Sequence, residues 1–129
     1  MNYYLSKTLS DIEFESAIEQ VTEELKKVGF GVLTEIDVQS TFKDKLDVDF
    51  RKYRILGACN PGFAHKALQS DLHAGTMLPC NVVVMEHDNG QVEISIVDPV
   101  ASMMAVKDET VQSIAREVKE KMKSVIETL

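Results

Sequence analysis

CNVVVMEHDNGQVEISIVD, residues 80–98, is the stretch on which the fold turns. Two runs rich in β-branched residues flank Asp88-Asn89-Gly90, and Asn-Gly is the preferred pair for a two-residue type I′ hairpin. With Asn89 and Gly90 as the loop, Asp88 pairs with Gln91 and cross-strand partners always sum to 179. Val83, Met85 and His87 then lie opposite Ile96, Ile94 and Val92 on a face apolar enough to meet helices. Val82, Val84 and Glu86 lie opposite Val97, Ser95 and Glu93 on the other. The same register sends Cys80 to this second face and sets Asn81 opposite Asp98 on the helix side, where the two would bond each other. The valines of the second face would leave apolar surface. A homodimer would bury it, or the connector 100–107, through Met103 and Met104, would fold over it.

Working outward, Asp98-Pro99 ends the hairpin. From the N-cap residue Asp108 a final helix follows, with Val111, Ile114, Ala115, Val118, Met122, Val125 and Ile126 along its inner stripe. Upstream, residues 71–79 read as a loop. Before them, Asn60-Pro61 pairs an N-cap residue with a proline suited to the first helical position. That predicts a helix over 61–70 with Phe63, Ala64, Ala67 and Leu68 inward, preceded by a strand over 50–59. Residues 38–47 are expected to form one or two helical turns with Val38, Phe42 and Leu46 inward, after a strand over 31–37. At the start, alternation predicts a strand over 2–7. Ser10 and Glu13 have capping-box spacing ahead of a helix over 11–28 that stops at Gly29. The order predicts an α+β two-layer sandwich, helices over a mostly antiparallel sheet, as one domain over 1–129.

Composition limits the function. The chain has 129 residues, 44% hydrophobic and 27% charged, a balance that suits a globular core. A net charge of −7 disfavours nucleic acid and anionic membranes, both of which call for a basic surface. The opening MNYYLSKTLSDIEF lacks the basic and apolar regions of a secretory signal. With only two cysteines in the chain, reduced thiols and a cytoplasmic location are expected.

The chemistry-bearing residues gather between 59 and 80. Cys59 falls at a strand end immediately ahead of a helix N-terminus, whose dipole favours a thiolate. It could serve a thiol-dependent enzyme or redox protein, although a lone cysteine is more often a small buried apolar residue. Cys59, His65, His73 and Cys80 have the chemical types of a zinc site. Their separations of six, eight and seven residues match no common finger or ribbon. No phosphate-cradling glycine run, nucleophile elbow or H-E-x-x-H occurs. A concave site built here for a small molecule would draw on Cys59, Asn60, Pro61, His73, Pro79, Cys80, Asn81 and Asp98. The helix start would favour an anionic or polar ligand oriented by Asn60 and Asn81.

IxxACNPxxAHKAL (Ile55 to Leu68), LPCNVVV (Leu78 to Val84), the Asp98-Pro99 strand end and Gly29-Phe30-Gly31-Val32 together resemble the bacterial and archaeal family called domain of unknown function 302. The resemblance spans essentially the whole chain. It implies a small α+β fold related to that of the TATA-binding protein, a curved antiparallel sheet with helices on one side, and no DNA binding. It marks Cys59, Asn60, Pro61, Ala64, Leu68, Pro79, Cys80, Asp98 and Pro99 as site candidates without assigning them roles.

Overall fold

The computed structural model describes residues 2–129. Its elements are β1 (Tyr4–Leu9), α1 (Phe14–Lys27), β2 (Gly31–Asp37), α2 (Val38–Leu46), β3 (Tyr53–Cys59) and α3 (Pro61–Ser70). A 3-10 helix (Leu72–Met77) leads into β4 (Cys80–Glu86), β5 (Val92–Val97), α4 (Pro99–Ser102) and α5 (Glu109–Thr128). All five strands join one antiparallel sheet in the order β1-β5-β4-β3-β2. The expected α+β architecture, helices over one face of an antiparallel sheet, is the one observed.

The hairpin closes differently from the expectation, and the difference reorients it. Val82 pairs with Ile96 and Val84 with Ile94, so partners sum to 178. Only Gly90 in the loop has positive φ, at 87°, whereas a type I′ turn would need it at Asn89 as well. Gly90 N–H donates to His87 O at 2.9 Å, and His87 N–H donates to Gln91 O at 2.8 Å. These bonds describe a three-residue loop, a turn completed by a left-handed glycine. One extra loop residue moves every side chain of one strand to the opposite face relative to its partner.

Val82, Val84, Val92, Ile94 and Ile96 therefore form the centre of the core, each 0% exposed. The second face keeps Val97 but not Val82 or Val84; Val83 and Met85 take their place. Cys80 is likewise turned inward and buried, while Asn81 points outward and is exposed. Asn81 does not meet Asp98. His87, expected toward the core, lies on the open face with Nε2 2.8 Å from Glu93 Oε1. Met103 does not cover that face either. It is buried with Ala67, Ala74, Val111 and Ala115 in a second apolar cluster, and Met104 is exposed.

Helix α1 buries Phe14, Ala17, Ile18, Val21 and Leu25, the stripe its periodicity predicts. It ends in a Schellman arrangement: Gly29 N–H bonds Lys26 O and Phe30 N–H bonds Leu25 O, with Gly29 at φ 89°. Its start departs from the capping box. Asp11 has φ 57°, the helix begins only at Phe14, and Glu13 at the cap position makes no side-chain cap bond. Ser10 Oγ instead accepts from Gln91 Nε2. Helix α2 also departs: none of its residues is buried and Leu46 is exposed. It follows an edge strand and packs through Phe42 on Phe50, ring centroids 5.0 Å apart, outside both apolar clusters.

Because the left-handed loop residue sets the hairpin register, Gly90→Ala should destabilise the fold by about 1–2 kcal/mol through backbone strain alone. A Cβ there meets nothing within 4 Å. Gly31→Ala, also in open space but without positive φ, should be neutral or slightly stabilising. Urea unfolding of the two variants checks the contrast.

Candidate functional site

The strand order makes β3 and β4 neighbours, with Ala58 opposite Cys80 and Gly57 opposite Asn81. Cys59 is thus one residue beyond the partner of Cys80, at the same end of the sheet. Both thiols line one cavity, floored by Phe30, Met103 and Ala115 and flanked by Phe63 and Ile114. The space open to the centre of a water molecule is about 40 Å³. Single waters need roughly 10–15 Å³ in that measure and two to four polar partners. The volume suffices here, the wall is apolar apart from Asn60 and the thiols, and the cavity opens to solvent between half-buried rim residues.

Local sequence builds the rim. Asn60 Oδ1 accepts from Phe63 N–H at 3.1 Å, capping α3 as its residue type predicts, and Pro61 takes the first helical position. Gly29 brings the end of α1 against this turn: a Cβ there would stand 2.9 Å from Asn60 Nδ2. Gly57 lets the 78–80 segment cross the sheet closely, since a Cβ there would run into Thr34 Oγ1 and Pro79 Cγ. Pro79, the residue preceding Cys80, lines the cavity.

Of the sequence candidates, Cys59, Asn60, Pro79 and Cys80 come together at the cavity. Pro61 is exposed beside it, and Asn81 is on the opposite face of the sheet. His73 has a 96% exposed side chain, and His65 is exposed on α3. Among the described residues no three His, Cys, Asp or Glu side chains are arranged to hold a metal ion, so Cys59, Cys80, His65 and His73 do not form the expected ligand set. For an anion the cavity offers little: Phe63 N–H at the start of α3 is already taken by Asn60 Oδ1, and no Lys, Arg or His lines the cavity.

Sequence reasoning placed Phe63, Ile114 and Ala115 on inward stripes without seeing that they would share a cavity. Met103 offered no sign of which element it would pack against. Phe30 could have been found, because the residue after a helix-ending glycine commonly packs back on the core.

Electrostatics agree with an uncharged site. Burial pushes the Cys59 thiol above its ordinary value, opposite to the lowering an activated thiolate would need. Burial, reinforced by nearby Cys59, pushes Cys80 up to about 11. Both thiols are free. Asp98 follows β5 at the same end of the sheet as Cys80 and performs a structural task there. It is 4% exposed and accepts from Val100 and Ala101 N–H, and Lys119 Nζ stands 2.9 Å from its Oδ2. Burial alone would raise its pKa, but Lys119 and the backbone donors outweigh that and hold it below the usual carboxylate range.

The fold and site together define an α+β sandwich with a thiol-bearing, apolar-lined cavity between the sheet and helices α3 and α5. The family described as domain of unknown function DUF302 matches residues 5–129, and the chain belongs to that family. Among solved structures, the crystal structure of an uncharacterised conserved DUF302 protein from Bacillus stearothermophilus is similar. The two are 28% identical with a TM-score of 0.87, over 97% of this chain and 96% of that one. No curated protein is significantly similar in sequence. Among the described residues no helix is long and apolar enough to cross a membrane.

Iodoacetamide should label Cys59 slowly at pH 7, with the rate still climbing above the pH where free cysteine levels off, and should leave Cys80 unlabelled until the chain unfolds. Peptide mass spectrometry of samples quenched between pH 7 and 10 reads both sites. Asp98→Asn keeps the cap acceptors but removes the charge facing Lys119. It should cost about 2 kcal/mol at pH 7. The depressed carboxylate contributes its stability above the unfolded value near pH 4 and loses it as pH falls through the folded value. The gap between wild type and variant should therefore narrow below about pH 4 in pH-dependent urea melts.

Proposed function

We propose that this protein is a small binding module whose cavity beneath the Cys59–Asn60–Pro61 turn accepts a compact, uncharged apolar group. The observation that carries the reading is the convergence of Cys59 and Cys80, which are 21 residues apart, on one apolar-lined cavity. A concave, mostly apolar pocket carrying a few polar groups at its mouth has the general build of a small-molecule site. The half-exposed residues Cys59, Asn60, Ala64, Leu78 and Pro79 form the mouth. Neutral thiols suit such a ligand, since a thiolate pair would charge the wall. Two free cysteines fit a reducing compartment, and we place the protein in the cytoplasm on that ground.

The cavity is small, so 1-butanol is a suitable probe. Titration followed by methyl NMR should shift the methyls of Ala58, Ala64, Ile114 and Val118 saturably and slow the alkylation of Cys59. Ala64→Met places a flexible apolar chain at the mouth and should abolish both effects while leaving the far-UV spectrum unchanged. Shifts that stay linear and spread over the surface, with alkylation unaffected, would reject the reading.

A further inference from the structure

All the helices that contribute to the apolar clusters lie on one side of the sheet, where Leu56, Val82, Val84, Ile94 and Ile96 are buried. The other side carries none of these helices; at its β3 edge Phe50, itself packed on Phe42 of α2, meets Tyr53 with ring centroids 6.0 Å apart. The middle of this side is made by Ile55 opposite Val83 on β3–β4, with Met85 beside them. Tyr4 on β1 and Tyr53 on β3 stand at the sides, and the face holds a concavity of about 410 Å³. We propose that this open face seats a second copy of the chain, the two sheets meeting face to face in a two-fold homodimer.

Charge identifies the occupant. The chain carries −7 overall, yet among the residues whose strand positions place them on this face Glu93 alone is charged. That carboxylate is already held by His87 Nε2 at 2.8 Å and Ser95 Oγ at 2.9 Å. A highly charged partner of either sign gains nothing from this face, because its one carboxylate is already engaged. A neutral surface fits: the centre of this face is apolar, and apart from Glu93 the polar strand residues around it, Ser6, Thr8, Asn81 and Ser95, are uncharged. This face is also where two chains of −7 can approach with least repulsion. Aromatic residues and Met with almost no charge make up the composition of an interface core, and a two-fold axis pairs a patch with itself.

The area is sufficient. Five strands about 4.8 Å apart and about 20 Å long present roughly 500 Å² of flat area per copy. Two copies would bury about 1,000 Å², the level at which a specific interface becomes credible, and the relief of the side chains adds to it. Twisted sheets have two favourable ways to stack at about 10 Å, aligned near −30° or crossed near 90°.

Sedimentation equilibrium of the full chain between 1 and 100 µM should return twice the 14.4 kDa chain mass. Met85→Lys and Tyr4→Glu should each raise the dimer Kd at least 100-fold with unchanged far-UV spectra. Leu33→Lys, at the exposed bulge of β2, should leave the Kd within threefold. Should Met85→Lys fail to fold, Tyr4→Glu decides alone, since Tyr4 is already 37% exposed and outside the core. A monomer at 100 µM, or a dimer whose Kd neither face variant alters, overturns the proposal. So does native mass spectrometry that finds a monomer carrying a co-purified small molecule lost in Met85→Lys. None of these residues lines the cavity, so the cavity and the dimer stand or fall separately.

Discussion

The registration of β4 against β5 governs most of what this molecule presents. A single residue in left-handed conformation, Gly90, closes a loop one residue longer than Asn-Gly alone would require. Everything downstream inherits that parity. Val82, Val84, Ile94 and Ile96 become the floor on which the helices rest. Cys80 enters the interior and Asn81 leaves it. Because strand side chains alternate with period two, the wrong parity would carry the hydrophobic set and the site residue to the wrong side together.

The site then follows from adjacency rather than from any motif. β3 lies beside β4, so the turn that ends one strand and the proline that opens the other arrive at the same sheet end. Glycines permit the closeness: Gly29 against Asn60, and Gly57 beneath Pro79 and Thr34. Helix α5 and the short turn carrying Met103 close the space from above. Its chemistry is that of hydrocarbon with two neutral thiols, which explains why polar, metal and thiolate readings all find too little to work with. Elsewhere the polar interior is committed to architecture. Asp98 with Lys119 fastens the end of the sheet to α5, and Arg54 reaches Glu35 at 2.6 Å and Glu15 at 2.9 Å, binding α1 to β2 and β3. The sheet has one face filled by helices, and the other, bordered at Tyr53 by Phe50, carries Glu93 as its one charged strand residue in a strongly acidic chain.

Read without coordinates, the chain yields its elements well where local physics decides them. The α1 stripe and Gly29, the Asn60-Pro61 start of α3, the Asp108 cap of α5 and the two hairpin strands are all visible, because periodicity, capping and left-handed glycines act over a few residues. Failures cluster where two local solutions lie close in energy or where burial is set from afar. Asp-Asn-Gly can close a two-residue or a three-residue loop, and only the packing of the flanking strands selects between them. Ser10 and Glu13 have capping spacing, but the chain reaches α1 from an edge strand through Asp11 in left-handed conformation. Phe42 and Leu46 have helical spacing, but α2 lies outside the core. The joint placement of Cys59 and Cys80 could be posed as a question from sequence and answered only by strand order, since nothing in twenty intervening residues specifies which strands pair. Composition and pattern by themselves determined a two-layer α+β chain with its chemistry-bearing residues near one turn. Tertiary structure alone decided which face of the hairpin is inside, which residues line the cavity and which stay exposed, because those depend on contacts between segments that sequence neighbours cannot sense.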